Sequence, residues 1–189
     1  KRMSNCSHEE NLKDASMLTT MLQKLNNLKY PTLAVIKGAA FGGGVGLISC
    51  CDIALASENS IFSLSEVKVG LIPATISPYV INAIGARNAR RLFTSGERFD
   101  SNIAKQINLV HEIAKEEDLE KRISYFIKHF KQNGPQAVIA AKKIVLDIFN
   151  KEIDDSVISH TCEVISALRT SKEGREGVTA FLEKRNPNW

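Results

Sequence analysis

The chain is poor in aromatic residues, 6% of its 189, with one tryptophan, Trp189. It offers no basic patch interleaved with aromatic side chains, the arrangement that stacks the bases of a nucleic acid. Cysteines number four, Cys6, Cys50, Cys51 and Cys162. Their spacing fits no zinc site and adjacent cysteines make a poor bridge, so they read as buried thiols in a reducing compartment. The four histidines, His8, His111, His129 and His160, form no arrangement with Cys or Asp. They read as surface or structural side chains, and no metal is expected. No apolar run is long enough to span a bilayer. The opening "KRMSNCSHEENLKDA" is polar and has no signal-peptide pattern. These absences lead to the expectation of a cytoplasmic, soluble chain with neither membrane nor nucleic-acid partner.

What is present suits a globular domain with a real core: 43% of residues are hydrophobic and 24% are charged. Net charge is +4, with Lys and Arg interleaved with acids as in "KEEDLEKR". That pattern fits a solvated face, or attraction to an anionic ligand carrying phosphates.

The first half alternates helix and strand. Leu12, Ala15, Leu18, Met21, Leu22 and Leu25 lie at helical spacing within residues 9–28, which predicts a helix with one buried face, and Pro31 ends the run. Leu33 to Ile36 reads as a buried strand, Gly43 to Cys51 as a short buried helix, and Asp52 to Ala56 and Ile61 to Leu64 as strands. Ile76 to Ile84 is a helix that stops at Gly85 and resumes over Arg87 to Thr94. Asp100 is an N-cap for Ser101 to Asn108, and Val110 to Ile113 is a last strand. From Glu117 onward the chain is helical, broken at Asn133-Gly134-Pro135, with a final helix over Glu173 to Lys184.

Two features in the first half carry chemistry. Gly42, Gly43 and Gly44 stand between a strand and a helix start. The first turn of a helix has free N–H donors and favours negative charge, and glycine lets a ligand reach the backbone. "GGGVG" lacks the GK[ST] of a P-loop and is not GxGxxG. Two uses remain: an oxyanion hole, in which one donor is worth roughly 2.7–4 kcal/mol in the transition state, or close helix-to-strand packing. The second feature is Glu66, alone in the apolar segment "FSLSEVKVGLIP". It is either an exposed surface acid or a buried one suited to general acid–base work, a contribution of typically about 10²–10⁴-fold.

Taken together, "IKGAAFGGGVGL", "CCDIALASENSIFSLSEVKVGLIP", "FTSGERFDSNIAKQINLV" and "FLEKRNPNW" resemble the crotonase family, the enoyl-CoA hydratases and isomerases, over nearly the whole chain. "GLIPATISPYVINAIGARNARRLF" and "LISCCDIA" look like bacterial members of methylglutaconyl-CoA hydratase type. The resemblance implies an α/β fold: a crotonase-like ββα spiral core, partial here over residues 1–115 with its N-terminal part absent, then C-terminal oligomerisation helices over 116–189. It implies an acyl-CoA substrate, a homotrimer or dimer of trimers, and no cofactor beyond the CoA of the substrate. Gly43 matches the donor of the oxyanion hole, and the second donor lies upstream of Lys1. Gly42 and Gly44 shape that loop, and Gly70 and Pro73 the turn after the acid. Phe181 and Lys184 match positions that contact the CoA nucleotide, where an ammonium suits a phosphate.

The two-acid hydratases of the family carry one glutamate at the position of Gly46 and another at that of Glu66. With one acid, Glu66 must both activate water and return the proton, or else only shuttle a proton as the isomerases do. Gly46 is expected to leave room beside the reacting carbons, where a carboxylated substrate brings its own acid. The leading expectation is hydration of a branched or carboxylated 2-enoyl-CoA such as 3-methylglutaconyl-CoA, a step of leucine breakdown. The alternatives are a double-bond isomerase and a crotonase-like binding protein without catalysis.

Overall fold

A computed structural model describes residues 6–189. The chain divides into two compact units, residues 1–28 with 32–120 and residues 29–31 with 121–189.

The first unit opens with α1 (His8–Asn26). Ser7 and Glu10 start it by reciprocal capping: Glu10 N donates to the Ser7 hydroxyl at 3.2 Å, and Ser7 N to the Glu10 carboxylate at 2.7 Å. Six strands follow: β1 (Leu33–Ile36), β2 (Ala39–Phe41), β3 (Ile53–Ser57), β4 (Ile61–Ser63), β5 (Arg98–Asp100) and β6 (Glu112–Ala114). Interleaved with them are α2 (Gly43–Ser49), a 3-10 turn (Glu66–Val69), α3 (Ser77–Ser95) and α4 (Ser101–Gln106). The strands form two sheets. One is parallel throughout, in the order β1-β3-β6; the other runs β2-β4-β5, with β2 and β4 parallel and β5 antiparallel to β4.

Successive strands thus pass from one sheet to the other, except β4 and β5, which share one. The first crossing is made at Gly38, whose φ of +81° costs glycine little. Buried serines tie these corners. Ser60 Oγ donates to Ile36 O, Ser63 Oγ to Gly96 O and Ser101 Oγ to Glu58 O, at 3.1, 3.2 and 2.9 Å. Between the layers lies one apolar core, with Leu22 of α1, Val45 of α2, Phe62 of β4, Val80 and Leu92 of α3 and Phe99 of β5. The rings of Phe62 and Phe99, paired in register, stack with centroids 5.6 Å apart.

The expected strands and helices are present with ends moved by one or two residues, and three elements escape sequence reading. β2 and β5 are three residues long, too short to show a period, and the 3-10 turn bearing Glu66 is equally brief. The break expected at Gly85 is a kink inside α3, with φ +76° and ψ 155°. Asp100 caps α4 as expected, its carboxylate accepting from Ile103 N at 2.9 Å. Two expectations need correction. Only Leu22 of the α1 stripe is fully buried, while Leu12 and Met21 are exposed. Of the four cysteines only Cys50 is buried; Cys162 is exposed on its helix. Burial, then the neighbouring Cys51, pushes the Cys50 thiol up to about 12, so it stays protonated. His111 is structural, its Nδ1 accepting from Ala54 N at 3.0 Å.

The second unit holds the helices α6 (Pro135–Ile148), α7 (Asp155–Thr170) and α8 (Lys172–Leu182), together with most of α5 (Leu119–Gln132), which begins at the end of the first unit. Proline at the first position of α6 has no N–H to satisfy, and Gly134 before it has no side chain to cap with. Glu173 of α8 supplies the cap, accepting from Gln136 N and Ala137 N at 3.0 and 2.8 Å. No helix among the described residues is long and apolar enough to cross a membrane.

Replacing Phe62 by Ala should cost about 3–5 kcal/mol, because a large stacked ring leaves a cavity; urea unfolding measures it. The Arg185 guanidinium, then the Asn188 N–H, holds the Glu176 carboxyl at about 2, below its ordinary 4.5. A carboxyl lowered on folding stabilises the fold above its unfolded value, and that stability drains away as pH falls toward the folded value. Acid unfolding between about 4.5 and 2 should therefore be blunted in Glu176→Gln, as read by helical circular dichroism against pH.

Candidate active site

The register of β2 against β4 builds the site. Phe41 pairs with Ser63, and one residue on, Gly42 N donates to Ser63 O at 2.9 Å. This bond fixes the glycine loop beside the end of β4. The chain then turns through Leu64 and Ser65, and Glu66 opens the 3-10 turn three residues after Ser63. Leu71 N donates to Glu66 O at 3.0 Å, and Gly70, with φ +74°, closes the turn. Pro73 is buried just beyond.

The acid returns to the glycine loop. Glu66 Oε1 lies 2.8 Å from the point a Cβ on Gly42 would occupy. Gly42 has φ +50° and ψ −114°, a conformation L side chains rarely adopt. Both space and backbone therefore require glycine there. Glu66 as a whole is half-buried, but its Oε2 is buried without a hydrogen-bond partner among the described residues. Leaving a carboxylate oxygen so placed is costly, and the cost is relieved when a ligand's donor or a water meets it.

At the same loop α2 begins. Gly42 O accepts from Val45 N and Gly46 N, at 2.9 and 3.2 Å. Gly43 and Gly44 are the first two residues of the helix, where N–H groups have no intrahelical acceptor. Gly43 is exposed, and no atom lies within 4 Å of where its Cβ would be. A pair of free donors at the head of α2 and an acid with an unmet oxygen on the neighbouring 3-10 turn thus meet at the glycine loop. Such a set can hold an oxygen that gains negative charge and move a proton close by.

The room expected at Gly46 is not there. A Cβ on Gly46 would lie 2.7 Å from Ile76 Cβ and overlap Ile76 Cγ2. Ile76 is the residue on which α3 starts and is 2% exposed. An empty position on one helix is filled by a side chain from another, and nothing in the sequence around Gly46 signals it. Gly46 itself is buried. Phe181 and Lys184 belong to the other unit: Phe181 is 81% exposed on α8, and Lys184 follows that helix with φ +54°.

The fold is found in solved crotonase-type enzymes. The crystal structure of an enoyl-CoA hydratase from Shewanella pealeana matches all of this chain and 70% of its own, with a TM-score of 0.95 and 42% identity. Among curated proteins, an enoyl-CoA hydratase of Alternaria alternata is 31% identical over 96% of this chain and 62% of its own length. A mitochondrial Δ(3,5)-Δ(2,4)-dienoyl-CoA isomerase of Dictyostelium discoideum is 33% identical over 88% of this chain and 57% of its own. The chain thus spans less than two thirds of either of those two relatives. The profile of the enoyl-CoA hydratase/isomerase family matches residues 1–189, and the chain belongs to that family.

Gly46→Ala should destabilise the protein by about 1–3 kcal/mol, as overpacking does. In an Ile76→Ala background the same change should be nearly neutral; paired thermal melts of the four proteins read the coupling.

Proposed function

We propose that the protein adds water to a 2-enoyl-CoA thioester, with Glu66 as the acid–base group and Gly43 N–H as one donor to the thioester oxygen. The observation that carries this reading is the buried, unpartnered Glu66 Oε2 beside the free N–H groups of Gly43 and Gly44. As water attacks the β-carbon, its proton passes to Glu66 and the electron pair of the double bond moves onto the thioester oxygen. Backbone donors stabilise the resulting enolate. Glu66 then delivers the proton to the α-carbon. The solved relative titled a hydratase supports this reading. The substrate class is a branched or carboxylated acyl chain such as 3-methylglutaconyl-CoA, on the likeness of residues 70–93. Gly42 and Gly44 shape the donor loop and Pro73 the turn behind the acid. In a homotrimer or dimer of trimers, Phe181 and Lys184 meet the CoA nucleotide. The exposure of Ile153, Phe181 and Leu182 supports such an assembly. Cytoplasmic residence is part of the same reading.

A second reading, double-bond migration with Glu66 shuttling one proton, is favoured by Ile76. An aliphatic side chain stands where the two-acid hydratases of the family carry a carboxylate, and one relative is named an isomerase.

Glu66→Gln in the full-length protein should lower turnover about 10²–10⁴-fold, the range for a positioned proton-transfer group. Loss of enoyl absorbance from 3-methylglutaconyl-CoA and from crotonyl-CoA measures it. Hydration that survives the substitution sinks the role of Glu66. A 3-enoyl-CoA that gains absorbance, while neither 2-enoyl substrate loses it, selects the isomerase.

A further inference from the structure

Gly42 and Gly46 lie one turn apart at the start of α2, joined by the Gly46 N–H donating to Gly42 O at 3.2 Å. A different side chain rests on each. Glu66 presses its carboxylate on Gly42, and Ile76 fills the Cβ position of Gly46. Both come from one stretch of chain, Glu66 from the 3-10 turn and Ile76 from the start of α3. The acid and the isoleucine therefore rest on points four residues apart at the start of α2, Gly42 at its N-cap and Gly46 in its first turns. Ile76 is almost wholly buried, so no water shares its place. An aliphatic side chain neither donates nor accepts, and the carboxylate's Oε2 has no partner.

The geometry points to Ile76 as a positioning residue that sets how a bound enoyl thioester partitions between water addition and double-bond migration. This rests on the function proposed above. Ile76 denies the helix face beside Glu66 to a water or to a second polar group. Water addition needs a held water, whose proton goes to Glu66, whose oxygen bonds the β-carbon, and whose proton then reaches the α-carbon. Migration needs none: Glu66 takes a γ-proton, the electron pair moves to the thioester oxygen, and the same proton returns at the α-carbon. Both routes balance with no further reactant. An apolar wall slows the first and leaves the second untouched.

The test measures initial rates of 3-hydroxyacyl-CoA and 3-enoyl-CoA formation from trans-2-hexenoyl-CoA by full-length protein, with the products separated by chromatography. Ile76→Val and Ile76→Thr are the deciding pair. Both keep the branch that fills the Gly46 position, and they differ mainly in a hydroxyl. Ile76→Thr, and Ile76→Ala where it folds, should raise the ratio of hydroxyacyl to 3-enoyl product about tenfold, equivalent to roughly 1.4 kcal/mol between the two barriers. Ile76→Val should keep the wild-type ratio. Equal ratios in the Thr and Val variants overturn the role of Ile76; if Glu66→Gln abolishes both products in the same assay, the proposed function stands without it. Absence of both products from the wild-type protein overturns the function and this inference together.

Discussion

The contact between the Glu66 carboxylate and the backbone of Gly42 is the constraint on which the site depends. It requires a residue without a side chain at the head of α2, a left-handed backbone at that residue, and a β4 end held at fixed register by the bond from Gly42 N to Ser63 O. Each requirement is local; Gly42 meets the first two and the end of β4 the third. The parallel pairing of β2 and β4 is what makes them coincide. A slip of one residue would turn every side chain of β4 to the other face and carry the acid away from the free donors.

That arrangement also explains why the helix is so short and so plain. α2 has seven residues and contributes no polar side chain to the site; its part is played by backbone groups. Its sides carry Val45 and Ile48 into the core, and the two positions that Glu66 and Ile76 approach, Gly42 and Gly46, carry no side chain. The chemistry is thereby split between elements. The helix presents donors that are fixed in place, and the neighbouring turn presents the proton-transfer group. Donors fixed before reaction need no reorganisation when charge develops.

Much of this was legible in the residues, for physical reasons. Continuous apolar runs announce strands, so β1 and β3 are visible, although β1 is less buried than its run suggests, with Val35 exposed; and three glycines at a helix start have few uses. The three-residue strands β2 and β5 carry too few side chains to show alternation. At Gly46 a missing side chain does not leave empty space. What fills it is Ile76, thirty residues onward, and its approach depends on how α3 packs on α2, which no local pattern encodes. The shortfall of burial along α1 has a similar origin: its spacing announces an apolar stripe but not how much of it the unit covers.

The buried serines bear on how the chain reaches this state. Their bonds join residues 24, 33 and 43 positions apart, and every strand pair in the two sheets except β4 with β5 joins strands that are not consecutive. Contacts of such long sequence separation must meet the entropy of loop closure before they return any stability, which slows folding. The first unit is therefore expected to close late and as a whole rather than strand by strand. Glu66 acquires its place against Gly42 only at the end of that closure, so a half-folded chain has the acid but no site.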